Sequence, residues 1–330
     1  MGEDVANAVT TVDEVELDLT KGADYQRLVD EEIQHYSGIE VTQNLTEGGV
    51  HDSKAWTFNY HFHYKNIFKT DPYNEVVTFA NQRENPGILS IGCGYGGHEL
   101  QIARSLRQPY HLVALDLNSL LFREAQRRAA SEGLNVRFKC VDLNFLDIEP
   151  ASFDVIYAIA SIHHVLNLEH LFATIHRGLK DQGRLVMLDI IGQSQVLHWK
   201  QNVEFAAELV RKMPWRYMPL NTSLWRKLAR RFDPYTIIPE YVEPSEQIGM
   251  EGIRQEEIEP LLGQWFTGEK VFRYNAFMRL ICTNPYLGKR LDPAVEKDRL
   301  YLEDLIRLDY EQVQSGKLRP TELFGVFVKR

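Results

Sequence analysis

The sequence contains few cysteines, and their number and spacing exclude two kinds of stabilising framework. Only three occur in 330 residues, Cys93, Cys140 and Cys282. An odd number at wide spacing matches neither a zinc-binding pattern nor a set of paired disulfides. We therefore expect reduced thiols and a fold held together by a hydrophobic core.

The sequence also lacks a long apolar run and an excess of basic charge. No stretch approaches the roughly 18 consecutive apolar residues of a membrane-spanning helix. The N-terminus, MGEDVANAVTTVDEVELD, is acidic, whereas a signal peptide begins with a basic segment and continues with an apolar one. The net charge of −9 argues against nucleic acid as the main partner, because phosphate binding requires many lysines and arginines. We expect a cytoplasmic protein that binds neither membrane nor nucleic acid.

Short apolar runs alternate with helical patterns in the middle of the chain. The strand-length runs are GILSI (87–91), YHLVALD (110–116), VRFKCV (136–141), FDVIYAIA (153–160) and RLVMLDII (184–191). Continuous apolar character is typical of strands buried on both faces. The intervening patterns are amphipathic, and the clearest predicts a helix over 118–133, capped by Asn118 or Ser119 at its start and by Gly133 at its end. With two more strands expected at 269–281 and 323–330, the pattern predicts an α/β fold with a doubly wound, mostly parallel, seven-stranded sheet.

Changes in composition predict how the rest of the chain is divided. Residues 1–22 are acidic and weakly patterned, and we expect a tail there. Residues 23–86 are predicted to form a helical and aromatic segment that covers a pocket. The sheet core is expected to comprise residues 87–192 and 265–330. Residues 193–264 interrupt the alternation and are predicted to be an inserted cap lobe between the fifth and sixth strands of the core.

A glycine-rich turn, GCGYGG, follows the first predicted strand and precedes a helix. Such a turn lets a ligand approach bare backbone amides at a helix N-terminus. Asp116 ends the next strand 24 residues after Gly92, at a position where a carboxylate can bind both hydroxyls of a ribose. Asp142 ends the third strand, and the apolar Leu143 follows it, a pair suited to an adenine ring and its amino group. The turn departs from GxGxxG, so a Rossmann-like domain that binds some other nucleotide is the alternative.

Four segments in order resemble the motifs of class I S-adenosylmethionine-dependent methyltransferases, in particular those acting on small molecules of natural-product type. They are LSIGCGYGG, LVALDLN, CVDLNFL and FDVIYAIASIHHV, and the resemblance extends from about Gly87 to Ile191, with a fainter trace in the two final strands. The resemblance implies a Rossmann-like fold, methyltransferase activity and S-adenosylmethionine as the cofactor. The residues that it assigns to the cofactor, with one aromatic residue added as a candidate, are Ser90, Gly92, Cys93, Gly94, Gly96, Asp116, Leu117, Asp142, Leu143, Ala158 and Tyr60.

The sequence departs from this family at Ser90. The family usually has Asp or Glu two residues before the first glycine, and a serine hydroxyl gives up the charge attraction to the amino group of the cofactor. Either the affinity is modest or another acidic residue compensates. A non-catalytic protein that binds the cofactor is therefore kept as an alternative.

Two adjacent histidines, His163 and His164, follow the fourth predicted strand, and Asp189 ends the fifth. Ligands of such folds collect where the carboxyl ends of the strands meet. The separation of 26 residues between His163 and Asp189 resembles the His and Asp pair of some small-molecule O-methyltransferases, which implies that His163, or else His164, is a general base oriented by Asp189. Alternatively, either ring contacts the cofactor or caps the next helix, which would leave N- or C-methylation to positioning alone.

No metal site is predicted at these histidines. Adjacent residues that leave a strand are expected to point apart, and the sequence places no cluster of Cys, His or carboxylate residues beside them.

Aromatic residues on either side of the core are predicted to frame the acceptor. His63 and Tyr64 lie in FNYHFHYKNIF, and Trp199, Trp215 and Tyr217 lie in the cap lobe. Flat apolar rings suit a small-molecule pocket, although the first group can equally be the core beneath an N-terminal helix. We expect O-methylation of a hydroxylated or sugar-bearing metabolite. Methylation of RNA or protein is the alternative, and the sequence leaves a homodimer open.

Overall fold

The computed structural model describes residues 9–11, 23–37, 53–195, 197–217, 238, 249–284 and 286–330. The strands are β1 (Val9–Thr11), β2 (Gly87–Ile91), β3 (His111–Asp116), β4 (Val136–Cys140), β5 (Leu146–Ile148), β6 (Phe153–Ile159), β7 (Leu179–Ile190), β8 (Phe266–Tyr274) and β9 (Glu322–Lys329). The α-helices are α1 (Ala23–Ser37), α2 (Lys54–Phe62), α3 (Pro72–Ala80), α4 (Gly97–Ser105), α5 (Arg123–Glu132), α6 (Leu168–Gly178), α7 (Lys200–Lys212), α8 (Ile258–Trp265), α9 (Phe277–Cys282) and α10 (Glu296–Gln314). A π-helical turn, His63–Phe68, continues α2.

Seven of these strands form one sheet in the order β4-β3-β2-β6-β7-β9-β8. All neighbouring strands are parallel except that β9 runs antiparallel to both β7 and β8. The predicted doubly wound, seven-stranded α/β fold is confirmed. The strand order reverses between β2 and β6, and in such sheets the ligand crevice lies beyond the carboxyl ends of the strands at that reversal.

The sheet is buried on both faces, as continuous apolar strands require. Alternate residues of β2 point to opposite faces: Ile88 packs with Leu100 of α4 and Ala125 of α5, whereas Leu89 packs in the cluster that contains Phe172 of α6. Both β2 residues are completely buried. This packing fixes the register of β2 and thereby the position of the glycine turn that follows it.

A second apolar cluster joins helices from the two ends of the chain. Trp56 of α2, Val203 of α7, Phe277 of α9 and Ile306 of α10 are buried together in it. The predicted cap lobe therefore contributes α7 to a helical layer, while its residues 218–237 and 239–248 lie outside the described part of the chain. None of the described helices combines the length and apolar character needed to span a membrane.

The prediction of a strand over 269–281 is wrong for the second half of that range. β8 ends at Tyr274, Asn275 adopts a left-handed backbone conformation (φ +56°), and α9 begins at Phe277. The buried carboxylate of Asp309 accepts hydrogen bonds from the backbone N–H groups of Ala276, Phe277 and Met278 at 2.7–3.1 Å. A distant side chain therefore starts this helix, and no local apolar pattern could show it.

Two smaller predictions also need correction. The helix expected from Asn118 or Ser119 begins only at Arg123, because the Asn118 side chain accepts from the Leu120 N–H and stabilises a turn; its predicted end at Gly133 is confirmed. Within the predicted tail, β1 pairs antiparallel with β5, so part of that segment is a strand. The remaining tail residues lie outside the described chain.

Candidate active site

The glycine turn after β2 binds the carboxylate of Asp116 through a backbone N–H group. Gly92 has φ +70°, and a Cβ there would lie 2.2 Å from Cβ of Ser161, so only glycine fits. Gly94 N–H donates to Asp116 Oδ2 at 2.7 Å, and Asn118 N–H donates to Oδ1 at 2.9 Å. Burial raises the pKa of Asp116, although these two hydrogen bonds oppose that shift. The turn and the predicted ribose acid therefore form one structural unit.

Asp142 lies at the end of β4, one strand further along the same edge. Its Oδ1 accepts from the Asn144 N–H at 2.9 Å, which begins the short turn that contains Leu143. Its Oδ2 accepts a short hydrogen bond from the hydroxyl of Tyr25 on α1. Burial, with the charge of Asp142, raises the pKa of Tyr25 and keeps it a donor. Tyr25 was not among the predicted site residues.

Helix α1 covers this whole edge of the sheet. Besides the Tyr25 contact, the Asn118 side chain donates to Ser37 Oγ at 3.0 Å, and the Tyr95 hydroxyl of the glycine turn donates to the backbone carbonyl of Tyr36 at 3.1 Å. Of the N-terminal segment that was predicted to cover a pocket, α1 is thus the part that contacts this edge of the sheet. The linking residues 38–52 lie outside the described part of the chain.

A buried carboxylate lies beside Ser90, where the family motif would have its acid. Ser90 Oγ donates to Glu99 Oε1 at 2.6 Å, and the Tyr157 hydroxyl donates to the same oxygen at 3.1 Å. Within the described chain, the buried Glu99 Oε2 has no hydrogen-bond partner. Burial raises the pKa of Glu99 to about 7. The sequence signal was available: a glutamate on the first turn of the helix after the glycine turn, next to the apolar Leu100.

His163 and Asp189 form a buried pair at the carboxyl ends of β6 and β7. His163 Nδ1 lies 2.5 Å from Asp189 Oδ1, so Nδ1 carries the proton that the carboxylate accepts. Asp189 Oδ2 accepts from the backbone N–H groups of Ser161 and Ile162 at 3.2 and 2.7 Å. The same carboxylate therefore orients the imidazole and holds the turn that carries it. The role of His163 as a general base stays a prediction.

The other nitrogen of His163 faces a carboxylate from a distant segment. Nε2 lies 3.5 Å from Oε1 of Glu251, which no sequence pattern had indicated. Burial favours the neutral ring, but Asp189 and Glu251 outweigh it and raise the pKa of His163 to about 10. Burial acts to raise the pKa of Glu251 as well, and contacts with His163 and His164 outweigh it and lower that pKa. The two carboxylates therefore favour the protonated form of His163.

His164 lies beside His163, with their ring centroids 4.2 Å apart. The expectation that the two rings point apart is wrong, because the chain does not remain extended: Ile162–His164 form a 3₁₀ turn. His164 Nε2 lies 3.4 Å from Glu251 Oε2. Its Nδ1 is 2.9 Å from Glu32 Oε1 on α1, without the alignment of a hydrogen bond. The carboxylates beside these rings, Glu32 and Glu251, thus belong to residues distant in the chain and were not predicted from the sequence.

The predicted acceptor residue His63 lies in the aromatic core. It is completely buried, its Nδ1 lies 2.9 Å from the Asn59 carbonyl, and its ring packs against Phe68 and Tyr274. Burial lowers its pKa to about 4. The alternative weighed from the sequence, that these rings are core, fits His63 better than contact with an acceptor does. Tyr64 is half-buried in the same layer.

Tyr60, predicted to contact the cofactor, is half-buried, with its ring 5.0 Å from Trp56 and 6.3 Å from Tyr274. Leu117 and Leu143 are half-buried near the two carboxylates that precede them, while Cys93 and Ala158 are buried. Contact of these residues with the cofactor stays a prediction.

The aromatic residues of the cap lobe differ in their surroundings. Tyr217 is buried, stacks on Tyr301 with an interplanar angle of 8°, and donates to Asp298 Oδ1 at 2.7 Å. Tyr217 is thus anchored to α10, and its contact with an acceptor stays a prediction. Trp199 is half-buried beneath the guanidinium of Arg319, and Trp215 is exposed.

Comparisons with known proteins agree with this geometry. Residues 88–183 match the family described as a methyltransferase domain. The chain is 30% identical over 115 residues to phosphoethanolamine N-methyltransferase 1 of Arabidopsis thaliana, a match that covers 35% of this chain and 23% of that protein. It is 29% identical over 132 residues to sterol 24-C-methyltransferase of Candida albicans, covering 37% and 35%. The chain thus spans well under half the length of these relatives.

Among solved structures, the chain is similar to geranyl diphosphate C-methyltransferase of Streptomyces coelicolor, with 15% identity, coverage of 78% of this chain and 75% of the other, and a TM-score of 0.42.

Proposed function

We propose that the chain transfers a methyl group from S-adenosylmethionine to a small molecule, since residues 88–183 match a methyltransferase domain. The observation that carries the proposal is the convergence of the glycine turn, Asp116 and Asp142 on one edge of the sheet, where Asp116 accepts directly from Gly94 N–H. This is the edge at which the strand order reverses, where folds of this type bind ligands.

The residues of this edge fit the cofactor. Asp116 would hold the ribose hydroxyls, and Asp142 with Leu143 would bind the adenine. A Cβ on Gly94 would meet nothing within 4 Å, so the turn borders open space at this position. When bound, S-adenosylmethionine supplies an electrophilic methyl group on a sulfonium. The chain's contribution is to bind and orient it and to exclude water beneath α1.

Glu99 supports the fit at the methionine end. The amino group of the cofactor is cationic, and the family motif normally offers it a carboxylate at the position of Ser90. Here Glu99 lies 2.6 Å from Ser90 with one oxygen free of partners among the described residues. We assign to Glu99 the acidic function that Ser90 lacks.

The acceptor most consistent with the dyad is a hydroxyl group. A base must present a nitrogen with a free lone pair to the hydroxyl proton, and the orientation of His163 by Asp189 leaves Nε2 for that purpose. Glu251 faces Nε2 in this structure, so it would have to withdraw when the acceptor enters. Its departure would remove one of the two carboxylates that favour the imidazolium, so a larger fraction of the ring would be neutral, with a lone pair on Nε2.

An amine acceptor is the second candidate, and the position of Glu251 favours it. Glu251 and Glu32 place two carboxylates beside the histidines, where a neutral amine could attack the methyl group with its lone pair and the charge of the resulting ammonium would be stabilised. In that case methyl transfer would depend on positioning alone.

The test combines cofactor binding with acceptor screening. We expect calorimetry to show binding of S-adenosylmethionine, and labelled cofactor to transfer its methyl group to members of a set of hydroxyl and amine acceptors. His163→Ala should reduce O-methylation by about 10²- to 10⁴-fold. His61→Ala, which changes an exposed histidine on α2, is the matched control and should have no effect.

Three outcomes separate the hypotheses. Absence of cofactor binding would refute the methyltransferase proposal itself. Unchanged turnover of a hydroxyl acceptor by His163→Ala would refute the base. Turnover of amines alone, insensitive to this substitution, would establish the second candidate.

A further inference from the structure

We propose that His163, His164 and Glu251 form a binding site for one divalent transition-metal ion, of which Zn²⁺ is the reference case. Among the described residues, one ring nitrogen of His163, one ring nitrogen of His164 and one carboxylate oxygen of Glu251 lie within 4.8 Å of one another. They come from the turn after β6 and from a segment 87 residues further along the chain. The structure holds no ion.

The spacing of these atoms suits ligands of an ion better than it suits partners in hydrogen bonds. The His163 Nε2–Glu251 Oε1 distance is 3.5 Å and the His164 Nε2–Glu251 Oε2 distance is 3.4 Å, both long for an N–H···O bond. Two ligands bound at about 2.1 Å to a tetrahedral ion lie roughly 3.4 Å apart. Each of the two separations, which involve different oxygens of Glu251, therefore matches one edge of such a coordination shell.

A further side chain lies next to each of the three candidate ligands. Asp189 accepts from Nδ1 of His163 at 2.5 Å, and Glu32 lies 2.9 Å from Nδ1 of His164. The Tyr36 hydroxyl donates to Glu251 Oε2 at 3.0 Å. Metal-bound histidines commonly carry a carboxylate on the nitrogen that does not bind the ion, because this contact fixes the ring and increases its basicity. Here Asp189 makes this contact with His163, and Glu32 lies beside the corresponding nitrogen of His164 without the alignment of a hydrogen bond.

The charges of the cluster also favour a cation. Glu32, Asp189 and Glu251 contribute three negative charges around two imidazoles, so an excess of negative charge remains even with both rings protonated. The His163 and Asp189 side chains are almost completely buried, and the Glu32 and His164 side chains are 12% and 18% exposed. Uncompensated charge is costly in such surroundings. With both rings neutral, a divalent ion would offset two of these three negative charges.

The ligand set indicates which ions fit. Two imidazole nitrogens and one carboxylate are typical of Zn²⁺ and its transition-metal neighbours, whereas Mg²⁺ and Ca²⁺ prefer oxygen ligands. Three protein ligands leave a fourth position open, as in catalytic zinc sites. An acceptor oxygen bound there would lose its proton more easily, and this activation would not require His163 as a base.

The experiment measures metal binding alone, without cofactor or acceptor. After removal of metal with a chelator, the full chain is titrated with Zn²⁺ and Co²⁺ by calorimetry, and the visible spectrum of the Co²⁺ form reports its coordination geometry. We expect one ion per chain with a tetrahedral Co²⁺ spectrum. Glu251→Gln and His164→Ala should each weaken binding by about 100-fold or more, and Glu32→Gln by about 10- to 100-fold. The exposed-histidine variant His61→Ala is the control.

Zn²⁺ affinity in Glu251→Gln equal to that of the control, or no binding by the parent chain, would overturn the proposal. Glu251→Gln preserves shape, and circular dichroism establishes that each variant is folded before titration. The result is independent of the methyltransferase proposal, because the same metal-free samples are assayed separately for S-adenosylmethionine binding.

Discussion

At the scale of single residues, Glu99 gives a prediction about the cofactor. If its carboxylate attracts the cationic amino group, Glu99→Gln should weaken S-adenosylmethionine binding by roughly 10- to 100-fold, the effect of losing one charge-assisted hydrogen bond. Because burial raises the pKa of Glu99 to about 7, the parent chain should bind more tightly as the pH rises from 6 to 8 and the carboxyl group ionises.

Calorimetry at both pH values checks this prediction, with Glu132→Gln, which removes a partly exposed carboxylate paired with Arg104, as the control. The assignment of Glu99 would be abandoned if Glu99→Gln bound the cofactor as tightly as the parent chain and retained the same pH dependence.

His63 gives a prediction about stability and pH. Its pKa falls from an ordinary value near 6.5 to about 4 because the ring is buried. The folded protein thus binds fewer protons at His63 than the unfolded chain does, so this contribution to stability is complete above pH 6.5 and is lost as the pH falls through about 4. The loss is on the order of 3 kcal/mol. We expect His63→Phe to reduce the fall in unfolding free energy over that range.

Urea unfolding at several pH values between 4 and 7 measures this slope. His61→Ala, which alters an exposed histidine, should leave the slope unchanged. An unaltered slope in His63→Phe would contradict the core position of His63, whereas retained methyl transfer would agree with it.

At the scale of elements, the strands could be predicted and one helix could not. GILSI is apolar except for Ser90 and becomes β2, with every residue buried, because a central parallel strand packs on both faces. The stretch from Phe277 to Cys282 is as apolar, yet it forms α9, because Asp309 caps it from a helix more than thirty residues away. Local periodicity describes packing on one face but contains no information about such a distant cap.

The position of helix α1 can be tested by substitution of Gly249, which contacts it. That glycine has φ +60°, and a Cβ on it would lie 2.6 Å from Glu32 Oε2 and 2.9 Å from the backbone nitrogen of Glu32. Because displacement of backbone atoms is energetically costly, Gly249→Ala should push α1 away from this segment. It should also break the hydrogen bond from Met250 N–H to Glu32 Oε2, now 3.0 Å.

Hydrogen exchange should then show faster exchange along α1 in Gly249→Ala than in the parent chain. Gly316→Ala is the matched control, because Gly316 has φ +73° but its added Cβ would meet nothing within 4 Å. Both variants carry similar backbone strain, so equal exchange rates in α1 would show that Gly249 does not hold this helix in place.

At the scale of the whole molecule, the candidate site assembles residues that the sequence keeps far apart. Tyr36 and Glu251, joined by a hydrogen bond, are separated by 215 positions. His163 and Asp189 could be paired from the sequence because both end neighbouring parallel strands, whose positions follow from the fold. Glu251 lies in no regular element that the pattern could place. The part of the site that follows from the sheet was therefore predictable, and the part supplied by the covering segments was not.

The sheet and the helical layer are joined by a buried ion pair, which yields the last prediction. Arg279 of α9 donates to Glu322 Oε1 at 3.0 Å, and Asn275 donates to Oε2 at 3.0 Å. The side chain of Glu322 is 1% exposed and that of Arg279 is 11% exposed. Glu322→Gln leaves the guanidinium without its counter-charge, so we expect a loss of about 3–5 kcal/mol in unfolding free energy.

Chemical denaturation followed by tryptophan fluorescence and by far-UV circular dichroism measures that loss. Glu132→Gln, which disrupts the pair with Arg104 between partly exposed side chains, should have a much smaller effect because solvent screens such pairs. If the buried pair couples the two layers, both signals should shift together in Glu322→Gln, because Trp56 reports the helical layer and Trp265 packs against the sheet. A loss no larger than that of Glu132→Gln would show that apolar packing alone holds the layers together.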